Sequence, residues 1–337
     1  MERSVYDHYG LYMTESFQAG RYTGFSTRDG MYVFVPEKTA ASSWEEKTAW
    51  ADWMRNNGDG TVAAFISPLS RGTSMMVDGE KQRLFRLYST ERKQTELLHP
   101  GAELGTFHEK AKSLFQPYPA PFFLDRWAQW WEIRLNQLES WYEKVRQKSR
   151  CSPADQWFIQ TFPYYMGKTE NAIQRLHHIR EEEQTEESGC ITHLCFTPET
   201  WIIAAPHSVP NKLPADWLHD HPARDVAEWI RYAIDTEAPF QETKAFLSAY
   251  EEHSRLSSVS WKLVAARLIF PYYYMEQMES IYLHETTRDM ETVLSELKAT
   301  WKKEAGWMDQ LHLLQQAFPA GFEDYPGWML GKSDSLA

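Results

Sequence analysis

The sequence predicts an α+β fold, with a small antiparallel sheet and one helix in residues 1–90 and a large, mainly helical part over 91–337. Runs rich in β-branched and aromatic residues, separated by Asp-Gly turns, crowd the first ninety residues. Past Tyr88 the apolar residues recur every three or four positions instead. That helical pattern is interrupted once, by a strand-like stretch from Cys190 to Ala205.

The elements follow in order. Tyr22 to Arg28 and Met31 to Val35 flank Asp29-Gly30, a pair suited to a two-residue primed hairpin turn, and Pro36 ends the second strand. Ser43-Trp44-Glu45-Glu46 fits a capping box, opening a helix whose apolar stripe includes Trp44, Ala51 and Met54. Thr61 to Ile66, Ser74 to Val77 and Arg83 to Tyr88 complete the sheet, the last two joined at Asp78-Gly79. Helices are expected from Pro100, over Asp125 to Arg146, and from Ser152, whose side chain caps a first turn containing Pro153. Phe162-Pro-Tyr-Tyr and Phe270-Pro-Tyr-Tyr read as two helices broken by proline. Arg180 to Gly189 is an acidic connector, and the tail from Gly331 is expected to be disordered. Between them, Cys190 to Phe196, a Pro198-Glu199 turn and Trp201 to Ala205 read as strand, turn, strand, followed by a loop and a helix through Arg231.

Composition narrows the function classes. The 337 residues are 42% hydrophobic, enough for a sizeable core. The 35 basic against 47 acidic residues give a net charge of -12, which repels nucleic acid and anionic membrane surfaces. No apolar run approaches a membrane span, and Met1 to Gly20 lacks the apolar core of a signal peptide, so synthesis in the cytoplasm is expected. Three cysteines are too few for a disulfide scaffold. Cys190-x-x-His193-x-Cys195 lacks the fourth ligand of a zinc site and reads as small buried side chains. The 15 tryptophans fall mostly at helical spacing, as core or interface residues; a carbohydrate-binding module is the reading they would otherwise support.

The chemistry-bearing stretch is 190–225. It resembles the catalytic loop of protein-kinase-like phosphotransferases, written His-x-Asp-x-x-x-x-Asn, then a hairpin and a metal-binding Asp, which bring a base and metal ligands to the γ-phosphate. Laid on this chain the pattern gives His193, Cys195 at the base, Thr200 at the metal-binding Asn, and Asp216. Arg224-Asp225-Val226-Ala227 resembles the helix-heading Asp of the aminoglycoside-phosphotransferase and choline-kinase branch. Pro100 to Lys110, with its Phe107-His108, resembles the first helix past the hinge at Tyr88-Ser89-Thr90. Phe162-Pro-Tyr-Tyr-Met-Gly167 and Glu170-Asn-Ala-Ile173 resemble a signature of the spore-coat-associated kinase-like proteins of endospore-forming bacteria, the CotS and YutH type.

The resemblance implies a bilobal protein-kinase-like fold, with an N-lobe over 1–90 and a helical C-lobe over 91–337 holding a degenerate catalytic loop at 190–225. It implies no intact catalytic residue: His193, Cys195, Thr200 and Val35 stand where the family keeps its loop His, base, metal-binding Asn and phosphate-binding Lys. Asp216 remains as a metal ligand, while His193 and Asp225 are expected to be structural. The expected function is that of a pseudokinase in the spore coat, acting by contacts with other coat proteins and needing no cofactor. The alternative is a small-molecule phosphotransferase using ATP and Mg through a rearranged site, with Lys38, Asp216 or Asp220 taking over lost roles; His219 and His221 are weighed beside them as metal ligands and read as loop residues.

Overall fold

A computed structural model describes residues 2–37, 42–69, 72–88, 99–115, 122–182, 188–203, 208–283 and 289–322. Lys38, the hinge residues Ser89 and Thr90, half of the acidic connector and the tail from Gly331 lie outside the described residues. The chain divides into two compact units: Met1–Tyr118, Ser188–Trp229 and Phe246–Ser254 form one, and Pro119–Glu187, Ile230–Ala245 and Arg255–Ala337 the other. The sheet and the stretch 190–225 therefore share a unit.

In the first unit, helix α1 (Glu2–Tyr9) precedes β1 (Glu15–Ala19), β2 (Tyr22–Thr27), β3 (Gly30–Pro36), α2 (Trp44–Asn56), β4 (Ala64–Ile66), β5 (Met75–Val77) and β6 (Glu80–Leu87). The antiparallel strands run in the order β1-β2-β3-β6-β4, with β5 also pairing β6. Strand β3 shows why its sequence is apolar at every position. Side chains alternate across a strand, so Val33 and Val35 join a cluster with Tyr22, Trp44 and Phe85 on one face, while Tyr32 and Phe34 join Val5, Phe25 and Leu84 on the other.

Sequence expectation and structure differ in several places. Neither α1 nor β1 was expected; Val5 and Tyr9 of α1 cover one sheet face. Thr27 pairs with Gly30, so the β2–β3 turn is Arg28-Asp29, one residue early, because the Thr27 hydroxyl accepts the Asp29 N–H at 3.1 Å. Asp78 and Gly79 do take the positive φ of a primed turn, 49° and 85°. The expected hairpin between Cys190 and Ala205 does not form. Strand β7 (Cys190–His193) pairs instead with β10 (Trp217–Asp220), and β8 (Ile202–Ile203) with β9 (Pro210–Asn211). Between β7 and β8, Thr197 and Thr200 bond to each other.

Helix α3 (Pro100–Lys112) packs closely on the end of α7 (Phe240–Glu251). A Cβ on Gly101 would meet the Phe246 carbonyl at 2.1 Å, and one on Gly105 the Tyr250 carbonyl at 2.6 Å. This approach carries His108, one turn further on, to Tyr250. Helix α6 (Ala223–Asp235) brings Asp225 to the same place from its first turn.

The second unit contains α4 (Phe122–Arg146), α5 (Pro153–Glu182), α8 (Ser258–Ile269), α9 (Tyr272–Tyr282) and α10 (Met290–Ala317). The expected break at Pro163 is absent: α5 runs straight through it, the lost backbone bond being offset by burial of Phe162 and Tyr165. Pro271, by contrast, does separate α8 from α9. Tyr165 of the first Phe-Pro-Tyr-Tyr copy stacks on Tyr274, the residue that follows the second, with centroids 3.8 Å apart.

Candidate functional site

The ladder between β7 and β10 sets Trp217 opposite His193, and the Leu194 N–H donates to the Asp216 carbonyl at 2.9 Å. Beyond it the loop closes on Thr200. Its hydroxyl accepts the Thr197 N–H at 2.8 Å and donates to the Cys195 carbonyl at 3.1 Å. Cys195, expected to be a small buried residue, is exposed; Cys151 is half-buried, and only Cys190 is buried, with its thiol pushed well up by that burial. The hairpin after the loop carries Asn211, fully buried, whose side chain accepts the Tyr88 N–H at 2.7 Å and donates to the Tyr88 carbonyl at 2.9 Å. Both backbone polar groups of Tyr88, at the expected hinge, are thereby engaged.

His193 and Asp225 form a buried centre. Asp225 accepts the His193 N–H at 2.9 Å, His193 Nδ1–H at 2.7 Å and His108 Nε2–H at 3.1 Å. The Trp201 indole N–H donates to His193 Nε2 at 3.2 Å, which leaves the imidazole proton on Nδ1. The Tyr250 hydroxyl lies 2.9 Å from His108 Nδ1. Burial opposes ionisation of Asp225, but the two imidazoles and their hydrogen bonds outweigh it and hold the carboxyl well below the usual carboxylate range. Burial pushes His108 below its ordinary value, with Asp225 pulling the other way. Every polar atom of the His193 ring is used inside the protein.

Asp216 sits at the end of a short 3₁₀ turn, with its side chain mostly buried. Its carboxylate pairs with Arg21, which the tight β1–β2 turn presents beside Gly20, at φ 57°. Arg21 also bonds the Tyr22 hydroxyl at 2.9 Å. From α2, the fully buried Lys47 sends its ammonium to the Ala215 carbonyl at 2.5 Å. Burial lowers that ammonium to about 8, against the attraction of Asp216. Val35 lies in the apolar cluster that also holds Tyr22, Trp44, Ile202, Leu213 and Ala215.

The remaining polar residues of the stretch are spent on local structure. Asp220 is buried, accepting Arg224 Nε–H and the His221 N–H at 2.7 Å each. His221 Nδ1 accepts the Ala223 N–H at 3.1 Å, and His219 stacks on Phe115. Among the described residues no group of three His, Cys, Asp or Glu side chains is placed to hold a metal ion.

The structure thus joins His193 with Asp225, keeps Cys195 and Thr200 in the loop, and sets Val35 in the cluster that contains Ala215. Sequence reasoning missed Arg21, Lys47, His108 as a partner of Asp225, Trp201 and Asn211. For Lys47 a signal existed: it falls three residues after Trp44 on the apolar stripe that continues to Ala51 and Met54.

Comparison with known proteins places this geometry. A family model described as "Spore coat putative kinase YutH" matches residues 2–314. The chain is 29% identical over 286 residues to the endospore coat-associated protein YutH of Bacillus subtilis (strain 168), covering 83% of each. In fold it resembles an aminoglycoside phosphotransferase from Alicyclobacillus acidocaldarius, with a TM-score of 0.70, 14% identity, and coverage of 94% of this chain and 96% of that one. A spectinomycin phosphotransferase in complex with ADP and spectinomycin gives a TM-score of 0.57 at 11% identity, covering 88% and 92%. The kinase-like α+β fold expected from the sequence is the fold observed.

Proposed function

The chain belongs to the YutH family of spore coat kinase-like proteins, and from that premise we propose that it serves the spore coat as a non-catalytic scaffold, acting through contacts with other coat proteins. The observation that carries this reading is the charge already placed at Asp216. Phosphoryl transfer in this fold needs that carboxylate for a metal ion and a lysine for the phosphates. Here Arg21 pairs with Asp216, and the buried Lys47 lies at the adjoining carbonyl. The exposed Arg21 pair is by itself worth about 1 kcal/mol or less. Lys47 is the weightier cation, since burial removes the water that would screen it.

The donors present do not suit magnesium. The Asp216 charge is answered by side chains, the Thr200 hydroxyl is used by the Cys195 carbonyl and the Thr197 N–H, and Val35 is packed among apolar residues. The Bacillus subtilis relative is an endospore coat-associated protein, which supports the coat as the site of action. One observation favours the competing reading of a working phosphotransferase: Lys47 supplies a buried ammonium from α2 that the Val35 position lacks.

Calorimetric titration with ATP and magnesium separates the two. No binding tighter than about 1 mM is expected. Micromolar affinity, or γ-phosphate release abolished in a folded Asp216→Ala variant, would overturn the non-catalytic reading.

A further inference from the structure

The first unit holds a cavity of about 440 Å³, within the usual range for small-molecule sites, and Asp216 does not line it. Its walls include the rings of Phe196, Trp201 and Trp229. The loop supplies the first two, and α6 the third, with one Trp229 face stacked on Phe246 at 4.3 Å. At one end lies Lys212, whose ammonium bonds Asp59 at 3.0 Å and Glu103 Oε1 at 2.6 Å. Two carboxylates to one ammonium leave this end one negative charge in excess, and Glu103 keeps its second oxygen for another donor. Lys212 prevails over burial in keeping Asp59 ionised, its carboxyl held below the usual range.

The same face of α3 then carries Thr106 and Lys110, which also line the cavity. Glu103 and Lys110 are seven residues apart, about two turns and 10 Å along the helix. The half-buried Lys110 ammonium has no hydrogen bond or ion pair among the described residues. The cavity thus has aromatic walls, a carboxylate-rich group around Lys212, whose ammonium also lies 5.1 Å from the Trp201 ring centre, and the Lys110 cation about two helical turns from Glu103.

We propose that this cavity binds a small flat aromatic molecule carrying an anionic group at one end and an ammonium or other hydrogen-bond donor at the opposite end. The anion pairs with Lys110, the donor with Glu103, and the ring packs against the indoles of Trp201 and Trp229. A ligand there touches the loop through Phe196 and Trp201, the latter bonded to His193. The site does not depend on how Asp216 is used, and it stands whether or not the non-catalytic reading does.

The test uses the full chain and three probes: 4-(aminomethyl)benzoate, with both end groups, benzoate and benzylamine. Nuclear magnetic resonance of the nitrogen-labelled indoles reports the site directly. The two-ended probe is expected to shift the Trp201 and Trp229 resonances saturably, and to bind about tenfold more tightly than either one-ended probe. Lys110→Ala, a change at a side chain with no internal partner, is expected to weaken the two-ended probe and benzoate about tenfold and to leave benzylamine unchanged. Absence of saturable shifts at these indoles, equal affinity for benzoate and the two-ended probe, or unaltered binding in Lys110→Ala would each overturn the proposal.

Discussion

Asp225 shows how much one side chain can organise. It is fully buried, and its three hydrogen-bond donors come from β7 and α3, so it ties the loop to the helix beneath it. Asp225→Asn keeps the volume but sets an amide against donors, and a loss of about 3–5 kcal/mol in urea unfolding is expected. The acid limb of stability follows from the same centre. The depressed value of His108 means that its contribution is complete above the unfolded value of about 6.5 and is lost as pH falls below it; that of Asp225 is lost only below about 4. Urea midpoints should therefore already decline between pH 7 and 5, and His108→Gln should flatten that first decline. Lys47 acts at the other limb. Its folded value, about 8, lies below the unfolded one, so at pH 7 the fold carries a costly buried cation, and stability from this group rises only as pH climbs past 8. Lys47→Met removes a buried cation beside Asp216 and the donor to the Ala215 carbonyl, so a loss of about 3–5 kcal/mol in urea unfolding at pH 7 is expected, together with loss of the rise in stability above pH 8. A Lys47→Met variant at least as stable as the parent at pH 7 would show that desolvation outweighs both contacts.

At the scale of elements, the contact between α3 and α7 fixes where His108 meets Asp225. Gly101 and Gly105 are one turn apart and both face carbonyls of α7 at distances no Cβ tolerates. Gly105→Ala should destabilise the protein by about 1–3 kcal/mol in thermal or urea unfolding, in contrast to the gain alanine brings on an exposed helix. Helix α2 was legible from Ser43 alone, since both halves of its capping box form. The hairpin at Asp78-Gly79 was legible for a similar reason, both residues tolerating positive φ. Pro163 misled because packing on both sides of α5 outweighs one missing backbone bond. The pairing of β7 with β10 was not legible, because a strand's partner 24 to 30 residues away is chosen by register and burial rather than by local pattern.

For the whole molecule, the kinase-like fold and the proposed coat role make separate demands. If contacts with coat proteins are the function, activity should follow folding rather than the carboxylate at Asp216. In sporulating Bacillus subtilis, a fluorescent fusion carrying Asp216→Ala should reach the coat as the parent fusion does, whereas Asp225→Asn should be depleted. Loss of coat signal in a stable Asp216→Ala fusion would count against the scaffold reading. Among the described residues no helix is long and apolar enough to cross a membrane.

The sequence by itself determined the class of fold, most helices, the capped start of α2 and the Asp78-Gly79 turn, because these rest on local periodicity, capping and residue type. It also located His193, Asp216 and Asp225. Only the tertiary structure decided what those residues touch: Arg21 from a turn, 195 residues from Asp216, Lys47 from a helix, 168 residues from Ala215, and His108, 117 residues from Asp225. Such partners are set by packing of distant elements around buried charge, where a carboxylate must find a cation or donors within the fold, and no local pattern records which one it finds.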